Sequence, residues 1–191
     1  MNDTKSILIV GVGGQGTLLL SKLLGNVLIN EGFDVKVSEV HGMSQRGGSV
    51  VTYVRYSDKV YSPLIREGEA DFVLAFEQLE AARFITYLKQ GGKLIYNRAK
   101  IEPMPVITGV CDYPDDIEEK INANVDSIAL DASALAKQAG SVKAVNVVLL
   151  GVFAKYTNIP KEKFIEEIKR SVPPKFVDLN CKAFNLGYEE A

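Results

Sequence analysis

A glycine-rich turn near the N-terminus constrains the fold of this chain more than any other feature. Gly11-Val12-Gly13-Gly14-Gln15-Gly16 follows the apolar run Ile7-Leu8-Ile9-Val10 and leads into Thr17-Leu18-Leu19-Leu20. This order predicts a strand, a tight turn and the start of a helix. Glycines let the backbone come close to a ligand, and the free N–H groups at a helix start favour an anion. The turn is therefore a candidate phosphate cradle.

The spacing of this turn fits the dinucleotide fingerprint G-x-G-x-x-G. Glu39 ends the next predicted strand, where that fingerprint places an acid for a ribose hydroxyl. Taken alone, these two features indicate a nicotinamide or flavin enzyme. A tight turn with nothing bound fits the same spacing. A real anion site usually recruits a basic side chain, and the nearest one in a neighbouring loop is Arg46.

The second and third predicted strands favour a hairpin over a parallel crossover. Residues 34–40 alternate apolar and polar types, and residues 49–56 are rich in β-branched and aromatic types, so both are predicted to be strands. Only the eight residues 41–48 separate them. A parallel connection needs a crossover of a dozen residues or more, usually a helix. The two strands are therefore expected to be antiparallel, unlike those of a Rossmann dehydrogenase.

The rest of the chain predicts alternating strands and helices followed by a helical C-terminal part. Further strands are expected at 71–76, 93–97 and 127–130, and helices at 17–31, 78–88, 132–139, 145–156, 161–172 and 175–188. Gly91-Gly92 is taken as the end of the 78–88 helix, residues 101–114 as irregular, and residues 115–121 as a possible short helix. The prediction is one α/β domain over residues 1–191, Rossmann-like and three-layered. It has a mostly parallel twisted sheet, helices on both faces, a hairpin insertion and C-terminal helices.

The apolar side chains of the C-terminal helices suggest a docking surface. Phe176, Val177, Phe184 and Leu186 add apolar area that a domain of this size is not expected to bury fully by itself. We therefore expect these helices to contact a partner protein. On this hypothesis, a chain truncated after Pro174 stays folded but no longer binds that partner.

Composition excludes several classes of function. The net charge of −2 arises from 22 basic and 24 acidic residues that are interspersed, which argues against binding to nucleic acid or to an anionic membrane. Glycines and polar residues interrupt the N-terminal apolar stretch, which argues against a signal peptide or a spanning helix and favours a cytoplasmic location. The two cysteines, Cys111 and Cys181, and the single histidine, His41, are too few for an iron–sulfur cluster, a zinc finger or a histidine-based metal site. No catalytic set is recognisable.

The loop from His41 to Gly48 is the second candidate binding element. It carries one imidazole, a hydroxyl and an amide, and one guanidinium between glycines, at the end of a predicted strand where α/β sheets bind ligands. The alternative is a polar hairpin loop with solvated side chains. The candidate cofactor-binding residues of the two loops are Gly11, Gly13, Gly14, Gln15, Gly16, His41, Ser44, Gln45, Arg46, Gly47 and Gly48. No residue is assigned a catalytic or metal-binding role.

Four segments resemble the gamma-type domain of the 2-oxoacid:ferredoxin oxidoreductases. They are Val10-Gly11-Val12-Gly13-Gly14-Gln15-Gly16, the run from Ser38 to Val50, Tyr61-Ser62-Pro63-Leu64-Ile65 and Gly68-Glu69-Ala70-Asp71. The resemblance covers essentially the whole chain. The piece His41-Gly42-Met43-Ser44-Gln45-Arg46 makes it most similar to the separate small subunit of the indolepyruvate branch.

This resemblance implies oxidative decarboxylation of an aryl 2-oxoacid with coenzyme A, giving acyl-CoA, carbon dioxide and reduced ferredoxin. It also implies that thiamine diphosphate and the iron–sulfur clusters belong to a large partner subunit, so that this chain alone binds none of them and is inactive. Ferredoxin would be met through the complex. In fused relatives that oxidise pyruvate, the loop before the paired glycines supplies basic residues to coenzyme A, whereas this chain has Ser44 and Gln45 beside Arg46.

Two other hypotheses remain open from the sequence. The chain could be a self-sufficient nicotinamide- or flavin-dependent oxidoreductase that uses the glycine turn and Glu39. It could also be a nucleotide-binding scaffold module with no reaction of its own.

Overall fold

The computed structural model describes residues 4–40 and 48–191, and their centre is a six-stranded sheet. The strands are β1 (Lys5–Val12), β2 (Asp34–Glu39), β3 (Ser49–Ser57), β4 (Ala70–Ala75), β5 (Leu88–Asn97) and β6 (Asp126–Leu130). Their spatial order is β2-β3-β1-β4-β5-β6. Strands β1, β4, β5 and β6 pair in parallel, while β3 is antiparallel to both of its neighbours. The predicted α/β fold and the antiparallel hairpin are thus confirmed.

The helices are α1 (Thr17–Asn30), α2 (Gln78–Arg83), α3 (Met104–Ile107), α4 (Ile117–Asn124), α5 (Ala132–Ala139), α6 (Val145–Ala154), α7 (Lys161–Ser171) and α8 (Val177–Glu190). They cover both faces of the sheet. One hydrophobic cluster joins the sheet to α1 and to α5 through α8, and the other joins its opposite face to α2 and α4. Alternate residues of β1 enter different clusters, Ile7 and Ile9 on one side and Leu8 and Val10 on the other. Both faces of this strand are buried, which explains its unbroken apolar run.

The helix predicted at residues 78–88 is wrong in length. Helix α2 ends at Arg83, a short 3-10 helix covers Ile85–Tyr87, and β5 already begins at Leu88. The glycine pair lies inside β5, where the register with β4 shifts between Ala70 and Phe72. A Cβ at Gly92 would lie 2.8 Å from the Ala70 carbonyl oxygen, so the pair permits a bulge and does not end a helix.

Asp71 links the amino ends of three neighbouring strands. Its carboxylate accepts a hydrogen bond from the Ser6 backbone N–H at 2.8 Å and forms ion pairs with Lys5 and Lys89. Burial alone would raise the pKa of this carboxyl group, but the bonds from Lys89, Ser6 and Lys5 outweigh that effect and hold the pKa below its ordinary value. The ionised form therefore connects β4 to both of its neighbours, β1 and β5.

The contact between α6 and α8 depends on two glycines that face each other. An added Cβ would lie 2.1 Å from the Phe184 carbonyl oxygen at Gly151 and 2.0 Å from the Val148 carbonyl oxygen at Gly187. Neither position can hold a larger residue without separating the helices. The two helix backbones are therefore closely packed on this face of the sheet.

The expectation that the apolar side chains of the C-terminal helices stay uncovered is largely wrong. The Phe184 side chain is fully buried and stacks on Phe164, while Val177 and Leu186 are partly buried. Only Phe176, at 44% exposure, presents a large apolar surface among the four residues. Most of this surface is covered by the chain itself, because α8 packs across α6 and α5.

Within the described residues, no helix combines the length and the apolar character needed to cross a membrane.

Candidate functional site

The glycine turn connects β1 to α1 with two residues in the left-handed region. Gly14 has φ of 96° and Gly16 has φ of 89°, a conformation that side chains with a Cβ rarely adopt. Gly16 is also crowded, since an added Cβ would lie 2.9 Å from Nδ2 of Asn146. That amide donates to the Gly16 carbonyl oxygen at 3.3 Å, so the first turn of α6 holds the start of α1 in place. The predicted strand, turn and helix start are confirmed.

The Gln15 side chain turns back into the protein. Its Oε1 accepts from the Val12 backbone N–H at 2.6 Å, and its Nε2 donates to the Phe76 carbonyl oxygen at 3.4 Å. Gly11 leaves room for this side chain, because a Cβ there would lie 2.7 Å from Oε1. Gln15 thus stabilises the turn, and any ligand on this side would meet its backbone more readily than its amide.

A polar network continues from the turn across the carboxyl edge of the sheet. The Phe76 carbonyl oxygen also accepts from Asn97 Nδ2 at 3.2 Å, and the same nitrogen lies 3.1 Å from the Ser133 hydroxyl oxygen. Asn97 ends β5, and Ser133 lies in the first turn of α5. The network therefore joins the ends of β4 and β5 to the glycine turn and to α5.

The end of the second candidate loop lies beside the glycine turn. The Gly13 backbone N–H donates to the Gly48 carbonyl oxygen at 2.9 Å. His41, Ser44, Gln45, Arg46 and Gly47 lie outside the described residues, so their roles stay predictions. The contact of Gly48 nevertheless agrees with the expectation that the two loops share one edge of the sheet.

Two clefts flank the turn. A small one of about 180 Å³ is lined by Gly13, Gly14, Thr17, Leu18, Glu39, Val40, Val50 and Thr52. A larger one of about 520 Å³ lies on the other side and is lined by Gly14, Gln15, Gly16, Asn97, Ala99, Ile101, Ser133, Val142, Lys143 and Val145. Both border the start of α1, where unpaired N–H groups and the helix dipole favour negative charge.

Glu39 lines the smaller cleft, but not in the position that the dinucleotide fingerprint assumes. Strand β3 lies between β1 and β2, so the acid stands two strands away from the glycine turn. One carboxylate oxygen accepts from the Ser21 hydroxyl of α1 at 2.7 Å. This hydrogen bond connects β2 to α1.

Three residues of the larger cleft were missed in the sequence. Asn97, Ser133 and Lys143 are far apart in the chain and belong to no motif. Two signals could have indicated them. Asn97 directly ends a parallel strand, and Ser133 follows the helix cap Asp131, whose carboxylate accepts from the Ala134 N–H at 2.8 Å. Lys143 precedes a buried helix, and nothing local distinguishes it from other surface lysines.

Two buried carboxylates near this edge have structural roles. Glu77 caps α2 by accepting from the backbone N–H groups of Leu79 and Glu80, and Glu80 accepts from the Ser49 hydroxyl. Burial is the largest cause that raises the pKa of Glu77, and the neighbouring Glu80 charge raises it further. Glu77 thus stabilises the start of α2, and Glu80 connects α2 to β3.

The described residues contain no group of three or more His, Cys, Asp or Glu side chains placed to hold a metal ion. Cys111 is exposed and Cys181 is partly buried, and neither forms a disulfide. Burial raises the pKa of the Cys181 thiol above its ordinary value, so this thiol is not an activated nucleophile.

Comparison with known proteins identifies the family. The family model described as pyruvate ferredoxin/flavodoxin oxidoreductase matches residues 6–190. The chain belongs to this oxidoreductase family. It is 46% identical to indolepyruvate oxidoreductase subunit IorB of Pyrococcus horikoshii, over 97% of this chain and 95% of the relative. The IorB subunit of Thermococcus kodakarensis is 43% identical over 97% of this chain and 95% of its own length. The resemblance found in the sequence is thereby confirmed.

Solved structures confirm the fold. The gamma subunit of a keto/oxoacid ferredoxin oxidoreductase from Geobacter sulfurreducens superposes with a TM-score of 0.73 at 27% identity, covering 98% of both chains. A pyruvate oxidoreductase subunit from Thermotoga maritima superposes with a TM-score of 0.76 at 21% identity, covering 98% of this chain and 97% of that one. The chain therefore shares its overall fold with these two subunits over nearly its whole length.

Proposed function

We propose that this chain is the small, non-catalytic subunit of an enzyme that oxidatively decarboxylates indolepyruvate or other aryl 2-oxoacids. The reaction uses coenzyme A and yields acyl-CoA, carbon dioxide and reduced ferredoxin. The observation that carries this proposal is the full-length similarity, at 41–46% identity, to three proteins named indolepyruvate oxidoreductase subunit IorB. Subunits named for 2-oxoglutarate or for pyruvate and ketoisovalerate are only 27–30% identical.

The small number of cysteines in this chain bears on which subunit binds the iron–sulfur clusters. A four-cysteine iron–sulfur cluster needs more thiolates than Cys111 and Cys181 can supply, and these two are 70 positions apart in the sequence. This shortage agrees with what the family resemblance implies, namely that the clusters and thiamine diphosphate belong to a large partner subunit, which would also deliver electrons to ferredoxin. Free thiols in both cysteines suit a reducing cytoplasm.

The glycine turn and the 41–48 loop are proposed to face the partner's active site, with coenzyme A between them. The support is positional. Gly48, the last residue of the second loop, accepts a hydrogen bond from the Gly13 backbone N–H, which supports a common sheet edge for the two loops. The start of α1 offers N–H groups to a phosphate, and Arg46 offers the guanidinium in the loop. Gly11 and Gln15 act indirectly by fixing the shape of the turn.

The geometry disfavours a self-sufficient dinucleotide enzyme. In such enzymes the ribose acid follows a strand adjacent to the one that carries the glycine turn. Here β3 is inserted between them, and Glu39 accepts a hydrogen bond from Ser21 of α1. The fingerprint is present in the sequence, but its partner residue is displaced by one strand.

A substrate series in the reconstituted complex tests the proposed reaction. The chain and its large subunit are combined, and ferredoxin reduction is followed with indolepyruvate, phenylpyruvate, pyruvate and 2-oxoglutarate in the presence of coenzyme A. We expect the two aryl substrates to have the highest kcat/KM, by tenfold or more. A preference for pyruvate or 2-oxoglutarate would assign the chain to another branch of the family.

A further inference from the structure

The 102–112 segment, which lies between β5 and α4 and contains α3, has no buried residue. Its conformation is held by local hydrogen bonds. The Thr108 backbone N–H donates to the Met104 carbonyl oxygen at 2.9 Å. The Val110 backbone N–H donates to the Pro105 carbonyl oxygen at 2.8 Å. The segment is therefore shaped by its own backbone and not by burial against the sheet.

Three large apolar side chains of this segment face solvent. Met104 is 66% exposed, Ile107 is 61% exposed and Val110 is 78% exposed. A single exposed apolar residue is ordinary, but three within seven positions are typical of an interaction surface. Met104 and Ile107 are three positions apart in α3 and therefore lie on one side of that helix. A preformed apolar projection of this kind loses little conformational entropy when it enters a pocket of another protein.

The segment begins at the sheet edge that carries the glycine turn. It follows the carboxyl end of β5, where the Gln78 backbone N–H at the start of α2 donates to the Ala99 carbonyl oxygen at 3.0 Å. Ile101, directly before the segment, lines the larger cleft together with Gly14 and Gly16 of the turn. A protein that covers the glycine turn at this edge would therefore also reach the 102–112 segment.

Acidic side chains flank the apolar residues. Residues 98–120 contain six acidic and three basic residues, a net charge of −3, whereas the whole chain has −2. Each of the three basic residues forms an ion pair with an acid of the same stretch. Glu102, Asp112 and Glu119 are exposed and form no ion pair with the residues that the structure describes. A second copy of this chain would bring like charges together here, whereas a partner with lysines and arginines around an apolar pocket would be attracted.

We propose that the 102–112 segment docks the large subunit. Met104, Ile107 and Val110 would enter an apolar pocket of that subunit, and lysine and arginine side chains around the pocket would face the acids that flank the segment. This inference rests on the proposed function for the existence of the large subunit. Its support is the exposed apolar projection, the negative charge that disfavours a second copy, and the shared edge with the glycine turn, which is proposed to face the same subunit.

The test compares two isoleucines of similar exposure by calorimetric titration of the full-length chain into the purified large subunit. Ile107→Ala is expected to raise the Kd about tenfold, which corresponds to about 1.4 kcal/mol, and Met104→Ala with Ile107→Ala about a hundredfold. Ile29→Ala is the control, because Ile29 is 57% exposed in the last turn of α1, far from the glycine turn. Its Kd should not change. The thermal midpoint of the double variant should also equal that of the wild-type chain, since neither residue is buried.

The outcomes separate this proposal from the proposed function. Equal Kd values for the wild-type chain and the double variant would overturn the docking site and leave the proposed function standing, whereas a wild-type chain that does not bind the large subunit would overturn both. Sedimentation of the chain alone should show a monomer. A dimer that Ile107→Ala dissociates would assign the surface to a second copy and overturn the proposal.

A charge variant tests the basic surroundings of the pocket. The combined change Glu102→Gln, Asp112→Asn and Glu119→Gln is expected to lower the association rate constant about tenfold at low salt and to weaken its dependence on ionic strength. Stopped-flow mixing with the large subunit provides the measurement. An association rate and a salt dependence equal to those of the wild-type chain would contradict the proposed charge complementarity.

Discussion

At the scale of single residues, Arg46 is the side chain on which the proposed contact with coenzyme A depends. It is the only lysine or arginine between Glu39 and Gly48, and a charge-assisted bond to a phosphate contributes roughly 1.5–3 kcal/mol. Arg46→Ala is therefore expected to raise the KM for coenzyme A about ten- to a hundredfold in the assembled enzyme and to leave the KM for the 2-oxoacid nearly unchanged. Steady-state kinetics with each substrate varied in turn provide the measurement. A variant that assembles with an unchanged KM for coenzyme A would reassign the loop to subunit contact.

The absence of a side chain at Gly187 allows α8 to pack closely against α6. Because a Cβ there would lie 2.0 Å from the Val148 carbonyl oxygen, Gly187→Ala must push α8 away from α6. We expect the free energy of unfolding to fall by about 1–3 kcal/mol. Gly25→Ala is the matched control, since its Cβ would lie 3.8 Å from the nearest atom outside its own helix, a Val37 methyl group. That change should be neutral or stabilising by up to about 1 kcal/mol. Equal denaturant midpoints for the two variants would contradict this account.

At the scale of elements, the sequence predicts those whose causes are local. Helix α1 follows its apolar spacing, α5 follows its Asp131 cap, and β3 follows its β-branched run, and all three were found close to their predicted bounds. The early end of α2 and the bulge at Gly92 could not be predicted in this way. They arise from the pairing of β5 with β4, a contact between segments that are distant in the chain.

The C-terminal helix is an integral element of the core. The side chain of Phe184 is fully buried between α6 and α7, and Gly187 lies against Val148. Truncation after Pro174 is therefore expected to remove cooperative thermal unfolding and near-ultraviolet circular dichroism, contrary to the expectation from sequence that the remaining domain stays folded. Calorimetry of the purified truncated chain provides the measurement. A sharp unfolding transition close to that of the full chain would show that α8 is dispensable.

At the scale of the whole molecule, only the part of the site that lies in one continuous segment could be predicted from the sequence. The glycine turn was recognisable, because strand, glycines and helix follow each other directly. The larger cleft was not, because Asn97, Ser133 and Lys143 meet only after β5, α5 and the segment before α6 reach one edge of the sheet. The separation of Glu39 from the glycine turn by β3 could not be predicted either, because strand order depends on how the whole sheet pairs.

The central claim is that this chain completes an oxidoreductase whose chemistry belongs to a larger subunit. The most direct measurement compares ferredoxin reduction from indolepyruvate and coenzyme A by this chain alone, by the large subunit alone, and by the two combined. We predict a colourless chain without activity, a large subunit with little activity, and full turnover on mixing in a fixed ratio. Flavin or iron–sulfur absorbance with turnover in this chain alone, or full activity of the large subunit without it, would contradict the account.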